Sequence, residues 1–240
     1  MPKTVRAHRI LSGRLRGYRI VTSWHDYPGA ILGRTERALL QWFERHVGAG
    51  ETWLDVGAHY GYTAIALSRL VGASGRVFAF EPVVATAGYS ARTGAANGFR
   101  QLVVIPCALG TPETLEQRRL PPVRGMVDST IQLGGAALET FLITRLDWLW
   151  SRICEGRPRV DGVKIDVQGM EIEAMAGMEN LLREFAPKLV VEVHRGVDRG
   201  SLVTLVEALG YSRRAEAIEP VHGETEAQFL DDCSYSFHSG

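Results

Sequence analysis

Short apolar segments that alternate with helix-like segments are the feature that most restricts the fold of this 240-residue chain. The apolar segments predict strands at Thr52–Val56, Arg76–Phe80, Leu102–Ile105, Val160–Asp166 and Lys188–Val193. Helical periodicity predicts helices at Tyr60–Val71, Val84–Asn97, Met170–Phe185 and Ser201–Leu209. This order is typical of βαβ units, and therefore predicts an α/β fold with a mostly parallel sheet and helices on both faces. Ligands of such sheets bind beyond the carboxyl ends of the strands, so the residues that follow each strand are the candidates for a site.

Residues 1–50 precede this alternation and are predicted to form an amino-terminal extension or cap on a domain of residues 51–240. Within the extension, Tyr18–Thr22 has the pattern of a short strand and Arg34–Val47 that of an amphipathic helix. His25 and Asp26 lie between the two, on a segment that we expect to cover the site.

Composition restricts the compartment and the partners. Hydrophobic residues make up 45% and charged residues 22% of the chain, which is typical of globular proteins. No apolar run approaches the roughly 18 residues that a membrane span needs, and the first residues lack the apolar segment of a secretory signal. Cys107, Cys154 and Cys233 are widely spaced and odd in number, which argues against a disulfide framework and a zinc ribbon. We therefore predict a cytoplasmic protein.

Charge is balanced over the whole chain but uneven within it. The formal net charge is zero, so nothing attracts nucleic acid globally. Basic residues nevertheless crowd the first 19 positions without an acid: Lys3, Arg6, Arg9, Arg14, Arg16 and Arg19. They form either a solvated arm or a docking surface for an anionic partner.

The segment "DVGAHYG" follows the first strand of the alternation and predicts a ligand-binding turn. Gly57 permits close approach of the backbone to a ligand, and Gly61 permits tight packing of the following helix. The two glycines are four residues apart, whereas a dinucleotide fingerprint needs a middle glycine for the pyrophosphate, and a phosphate-binding Gly-Lys-Ser/Thr is absent. The turn therefore suits a cofactor without a phosphate chain, and Asp55 before it favours a positive charge. S-adenosylmethionine meets both conditions.

Glu81 ends the next strand, in "VFAFEP". A carboxylate at this point can accept hydrogen bonds from both hydroxyls of a ribose. NAD-dependent enzymes use an acid in the same way, but the missing glycine and the absence of a Tyr-x-x-x-Lys pair argue against NAD.

The segments "DVGAHYG", "FAFEP", "RLDWL", "VKIDVQGMEIEAMAGM" and "LVVEVH", in this order, resemble the FkbM-type S-adenosylmethionine-dependent methyltransferases. The resemblance implies a class I, Rossmann-like methyltransferase sheet of seven strands and O-methylation of a hydroxyl on a sugar, polyketide or related metabolite. By position, it implies that the cofactor site is lined by Asp55, Gly57, Ala58, Gly61 and Glu81. We also expect cofactor contacts from His59, Pro82, Ala108 and Asp166. Cys107 lies where adenine sits in such a fold.

Three residues depart from the family pattern. His59 replaces the usual Asn, Arg145 stands where Thr is common, and Gln168 stands where the family usually has Glu. The loss of an acid at position 168 leads us to predict a metal-independent enzyme.

Asp166 and His194 are the candidate catalytic residues, because each follows a strand and an alcohol acceptor must lose a proton. The alternatives are a helix cap for Asp166 and an ordinary surface position for His194. Positioning of the reactants supplies more of the rate than a base does in either case.

The stretch from Gly110 to Leu138 interrupts the alternation and predicts either a lid over the site or a surface insertion. In the lid hypothesis Arg118, Arg119 and Arg124 contact the acceptor, with Asp128 and Ser129 nearest the cofactor.

We expect a small-molecule hydroxyl acceptor and no membrane partner, and a homo-oligomer is compatible with the sequence. Two other functions stay open. One is an RNA or tRNA methyltransferase that uses the basic first residues on phosphates. The other is a cofactor-binding partner protein without catalytic activity.

Overall fold

The computed structural model describes residues 1–120, 122–123, 126–127, 139–221, 224 and 226–239. Its strands are β1 Arg6–Arg9, β2 Arg19–Thr22, β3 Thr52–Val56, β4 Arg76–Phe80, β5 Leu102–Ile105, β6 Ala108–Leu109, β7 Glu116–Leu120, β8 Pro122–Val123, β9 Met126–Val127, β10 Glu139–Thr144, β11 Gly162–Ile165, β12 Lys188–Val193, β13 Tyr211–Ala217 and β14 Cys233–Ser239. Its helices are α1 Pro28–Leu32, α2 Arg37–His46, α3 Tyr62–Val71, α4 Val84–Ala96, α5 Leu146–Ile153, α6 Glu171–Ala176, α7 Glu179–Phe185 and α8 Arg199–Ala208.

Seven strands form the central sheet, in the order β13-β14-β12-β11-β3-β4-β5. Five neighbouring strands of this sheet, β12, β11, β3, β4 and β5, are parallel to one another. The strand β14 pairs antiparallel with both β12 and β13. The predicted seven-stranded, mostly parallel α/β sheet is thus confirmed. The strand order reverses between β3 and β11, so the switch point at which such sheets bind ligands lies at the carboxyl ends of these two strands.

Apolar packing covers both faces of the sheet. One core cluster packs the helices α5, α6, α7 and α8 against strands that include β11 and β12. A second cluster packs the amino-terminal segment and α3 against Trp53, Val77 and Val190 of the sheet. Residues 1–50 therefore share a core with the sheet: the hairpin of β1 and β2 packs on α4, and α2 packs on α3. None of the helices in the described part of the chain is long and apolar enough to cross a membrane.

The predicted helix Met170–Phe185 is two helices, α6 and α7, separated at Gly177. A Cβ on Gly177 would lie 2.1 Å from the carbonyl oxygen of Gly110, so the chain passes too close to a second backbone for any side chain at this position. The break lets α6 and the end of β6 approach one another.

The interruption after β5 contains strands that periodicity does not reveal. The strand β10 pairs parallel with β6 and antiparallel with β7, which forms a three-stranded sheet. Arg118 and Arg119 of the lid hypothesis lie on β7, and Arg118 forms ion pairs with Glu116 at 2.8 Å and Glu173 at 3.2 Å. Arg124, Asp128 and Ser129 lie outside the described residues.

Candidate functional site

A cavity of about 330 Å³ opens at the carboxyl ends of β3, β4 and β11. This volume lies within the range of sites for small molecules and cofactors. Its apolar walls include Val56, Phe80, Leu109 and Phe141, and most of the charged side chains that line it are acidic. The acidic side chains that line it are Asp26, Glu36, Glu81, Asp166 and Glu192.

The turn after β3 forms the floor of the cavity. The backbone N–H groups of Gly57 and Ala58 both donate to the Phe80 carbonyl, at 2.9 and 3.0 Å, so the end of β4 holds the turn. Gly57 has φ +82°, and a Cβ there would lie 1.7 Å from the carbonyl oxygen of Asp166. The glycine is therefore needed for the close approach of two strand ends as well as for an open floor.

Gly61 has a different neighbour from the one that the sequence suggests. It has φ +85°, and a Cβ there would lie 2.6 Å from Oγ of Ser90, which belongs to α4. The small residue thus permits close packing of α3 on α4, and Gly61 does not line the cavity.

Glu81 lies at the rim of the turn, is 3% exposed and lines the cavity. Its Oε2 accepts a hydrogen bond from the His59 N–H and its Oε1 accepts one from the Val83 N–H, both at 2.9 Å. Burial raises the pKa of the Glu81 carboxyl to about 7, in spite of these two bonds. Each oxygen keeps a lone pair, so the carboxylate can still accept hydrogen bonds from a diol.

Lys164 and Asp55 lie side by side, because β11 pairs with β3 in a register that places them opposite one another; Lys164 lines the cavity, whereas Asp55 lies behind its floor. The Lys164 ammonium lies 3.2 Å from Oδ1 of Asp55, 3.2 Å from Oδ2 of Asp166 and 3.0 Å from the carbonyl oxygen of Gly57. Burial opposes the charge, but the Asp166 and Asp55 carboxylates more than offset this and raise the pKa of Lys164. Asp55 is fully buried, and Thr63 Oγ1 donates to its Oδ2 at 2.7 Å. Asp55 therefore supports the turn from behind.

His194 lies against Asp166 and is buried, not a surface residue. Its Nδ1 lies 2.6 Å from Oε1 of Glu171, which is fully buried, and its Nε2 lies 2.7 Å from Nε2 of Gln168. The same Nε2 lies 3.5 Å from Oδ1 of Asp166 and 3.5 Å from Oε1 of Glu192. Burial opposes protonation of the ring, but the neighbouring carboxylates dominate, first Glu171, and raise the pKa of His194 to about 10.

Three residues around the cavity have left-handed backbone conformations although they are not glycine. Glu36, His59 and Gln168 have φ of +53°, +48° and +54°, and all three line the cavity. Backbone conformations of this kind cost free energy and concentrate at functional sites. Four other residues of this kind lie away from the cavity, so these three agree with a functional site here but do not by themselves identify it.

Most of the residues predicted from the sequence line this cavity. It is lined by Gly57, Ala58, His59, Glu81, Pro82, Cys107, Ala108 and Asp166, together with Asp26 of the covering segment. Asp55 and Gly61 lie behind its wall, and His194 lies behind Asp166. Asp166 is not a helix cap, because the residue that precedes α6 is Met170.

Sequence reasoning missed Tyr27, Glu36, Lys164 and Glu192, all of which line the cavity. The Tyr27 ring lies 4.9 Å from the His59 ring, so the amino-terminal segment reaches the turn after β3. Lys164 and Glu192 each interrupt an apolar strand, in "VKI" and "VEV", and a charge in a buried strand is a signal that could have identified them.

Comparisons with known proteins agree with this geometry. The family model described as "Methyltransferase FkbM domain" matches residues 55–237. No curated protein sequence matches the chain significantly.

Solved structures share the fold at low sequence identity. A methyltransferase FkbM from Methylobacillus flagellatus KT is 16% identical with a TM-score of 0.52; the match covers 82% of this chain and 50% of that one. Fibrillarin from Aeropyrum pernix, crystallised with natively bound S-adenosyl-L-methionine, is 16% identical with a TM-score of 0.52. The match covers 98% of this chain and 87% of that one. A putative rRNA-methylase from Clostridium thermocellum is 11% identical with a TM-score of 0.51. The match covers 84% of this chain and 92% of that one.

The family match covers well over half of the chain and includes the floor of the cavity, Glu81, Asp166 and His194. The predicted family and enzyme class are thereby confirmed. The chain belongs to the FkbM family of S-adenosylmethionine-dependent methyltransferases.

Proposed function

We propose that this chain transfers a methyl group from S-adenosylmethionine to a hydroxyl oxygen of a small metabolite, such as a sugar or a polyketide. The observation that carries the proposal is the composition of the cavity, in which apolar walls adjoin an acidic end near Asp166. The cofactor supplies an electrophilic methyl group on a positively charged sulfur, and an acidic lining favours that charge.

The residues that would hold the cofactor fit its parts. Glu81 would accept hydrogen bonds from the ribose hydroxyls with the lone pairs that His59 and Val83 leave free. The apolar surface of Cys107, Ala108 and Leu109 would face the adenine. The site thus offers a polar acceptor for the sugar and an apolar wall for the base.

Asp166 is the residue that we assign to receive the proton of the acceptor hydroxyl. Its carboxylate lines the cavity and is held by Lys164 at 3.2 Å, whereas His194 lies behind it. In the transfer the acceptor oxygen forms a bond to the methyl carbon, the carbon–sulfur bond breaks, and the hydroxyl proton passes to Asp166. His194 and Lys164 would fix the position of Asp166, and positioning supplies most of the acceleration in such a reaction.

A small acceptor is favoured over RNA by the charge of the cavity. Five acids line it among the described residues, and the one lysine, Lys164, is paired with Asp55 and Asp166, whereas phosphate contacts are made mainly by Arg and Lys. The unpaired cysteines Cys107, Cys154 and Cys233 support the proposal of a reducing, cytoplasmic location.

Transfer of an isotopically labelled methyl group from S-adenosylmethionine tests the proposal, with metabolite extracts and RNA fractions as separate acceptors. We expect label in a small hydroxylated product, and loss of most of the label with Asp166→Asn while binding of S-adenosylhomocysteine is retained. Label only in RNA would replace the proposal with the RNA methyltransferase alternative. Binding of S-adenosylhomocysteine with no transfer to either fraction would favour a non-catalytic partner protein.

A further inference from the structure

A mixed cluster of one imidazole and two carboxylates lies at the acidic end of the cavity. The cluster consists of Asp166, Glu192 and His194, each of which offers one donor atom, and these atoms all lie within 4.8 Å of one another. Asp166 and Glu192 line the cavity, so their carboxylates face an open volume. We propose that this cluster is a binding site for a divalent transition-metal cation, in contrast to the metal independence that the sequence predicts.

The distances within the cluster suit a shared cation better than direct hydrogen bonds. Nε2 of His194 lies 3.5 Å from Oδ1 of Asp166 and 3.5 Å from Oε1 of Glu192, beyond the usual length of an N–H···O bond. Ligands bound about 2.1 Å from one ion lie roughly 3.0–3.4 Å from each other in octahedral and tetrahedral geometries. The two distances that involve His194 therefore need only a small contraction, and all three donor atoms already lie within 4.8 Å of one another.

Glu171 orients the imidazole in the way that metal-binding histidines require. Its Oε1 lies 2.6 Å from Nδ1 of His194, so Nδ1–H can donate to it and leave Nε2, which lies 3.5 Å from both Asp166 and Glu192, as the nitrogen that binds the metal. A carboxylate behind a metal-binding histidine is a recurrent arrangement that fixes the tautomer and the ring orientation.

The balance of charge gives a second, independent reason for a cation. Four carboxylates lie at this end of the site, those of Asp55, Asp166, Glu171 and Glu192, and the cationic groups paired with them among the described residues are the Lys164 ammonium and, when protonated, the His194 ring. Glu171 is fully buried, and its Oε2 has no hydrogen-bond partner in the part of the chain that the structure describes. Uncompensated buried carboxylates are costly, and a divalent ion offsets much of this negative charge.

The side chain of Gln168 should affect the affinity of the cluster for the cation. Its Nε2 lies 2.7 Å from Nε2 of His194, so binding requires the amide to rotate and present Oε1, which is itself an acceptable ligand. A glutamate at this position would supply a negatively charged oxygen at the same reach. Gln168→Glu should therefore strengthen metal binding, whereas it should not do so if the cluster holds only a proton.

The donors are one imidazole nitrogen and two carboxylate oxygens. Carboxylates suit Mn²⁺ and imidazole suits Zn²⁺, so Mn²⁺ is a suitable probe and Zn²⁺ a suitable competitor. The ion would lie at the place where the proposed function puts the acceptor hydroxyl. Only a contact between the ion and that hydroxyl rests on the proposed function; binding of the cation itself does not.

The test is a titration of the chelator-treated full chain with Mn²⁺, followed by the loss of the free-ion electron paramagnetic resonance signal. We expect one Mn²⁺ per chain, displaced by Zn²⁺, and at least a tenfold weaker affinity in Glu192→Gln and in His194→Gln. The Glu171→Gln variant should lose about 10–100-fold, as is typical for partners behind a metal ligand. Glu173→Gln is the matched control, because Glu173 lies on the same helix but pairs with Arg118, and it should bind as the wild type does.

Absence of Mn²⁺ binding to the wild-type chain at millimolar concentration would overturn the inference, as would equal affinity in all of these variants. If the neutral variants do not fold, the comparison of Gln168→Glu with the wild type decides, and tighter binding is the expected result. Methyl transfer without Mn²⁺ binding would overturn this inference alone. Mn²⁺ binding without methyl transfer would overturn the proposed function alone.

Discussion

Lys164 is the residue whose removal should most clearly show how the site is held together. Its side chain is 3% exposed, and its ammonium lies 3.2 Å from both Asp55 and Asp166. Lys164→Met keeps much of the apolar side chain and removes the charge, which leaves Asp55 buried without a counter-ion. Breaking a buried pair from one side costs about 3–5 kcal/mol, and in a chain of this size that corresponds to a fall in Tm of roughly 6–20 °C.

Urea unfolding in chelator-containing buffer, followed by tryptophan fluorescence and circular dichroism, measures this cost. Lys188→Met is the matched control, because Lys188 pairs with Glu51 at 2.5 Å but has a side chain that is 39% exposed, so its loss should cost less than about 1 kcal/mol. The double variant Lys164→Met/Asp55→Asn should recover part of the lost stability, since it also removes the stranded charge. The reasoning is refuted if Lys164→Met costs less than about 1 kcal/mol, or if the double variant is no more stable than the single one.

Three further predictions concern the cofactor end. Glu81→Ala should weaken binding of S-adenosylhomocysteine at least about tenfold by calorimetry, because it removes charge-assisted hydrogen bonds worth about 1.5–3 kcal/mol each; wild-type affinity in a folded variant would contradict the ribose assignment. Because burial raises the pKa of Glu81 to about 7 and the ribose hydroxyls need the ionised form, affinity should rise between pH 6 and 8, and Glu81→Gln should flatten this rise. A Glu81→Gln profile as steep as that of the wild type would assign the pH effect to another group, such as Glu36, whose pKa burial also raises to about 7. Gly57→Ala should destabilise the fold by more than Gly98→Ala, since both have positive φ but only the Gly57 Cβ would meet backbone, 1.7 Å from Asp166; equal thermal shifts would argue against that contact.

The sequence predicts the inner strands β3, β4 and β12 to the residue, since continuous apolar runs leave little ambiguity about where a buried strand begins and ends. The bounds of β5, the half-buried edge strand, also agree, whereas β11 is shorter than the predicted Val160–Asp166. The strands β13 and β14 escape notice because they lie at one side of the sheet and mix polar with apolar residues, as in "SRRAEA". The break at Gly177 depends on the nearby Gly110 backbone, which no local pattern records.

Some positions at the site could likewise be predicted from the sequence, whereas others depend on the tertiary structure. Glu81, Asp166 and His194 could be predicted because the carboxyl ends of parallel strands meet, so position in the chain gives position in space. Tyr27 and Glu36 could not, because they reach the cavity through the packing of the amino-terminal segment on α3. The hydrogen bonds of Glu171 and Gln168 to His194 likewise require the tertiary structure.

The cavity is built from two stretches of chain that the family model separates. The matched segment begins at Asp55, whereas Asp26, Tyr27, Thr35 and Glu36 complete the lining from upstream of it. A change in these four residues would therefore alter the shape and charge of the cavity without any change in the matched segment. We expect chimaeras that exchange the residues before Asp55 between homologues to differ in which molecules the cavity admits.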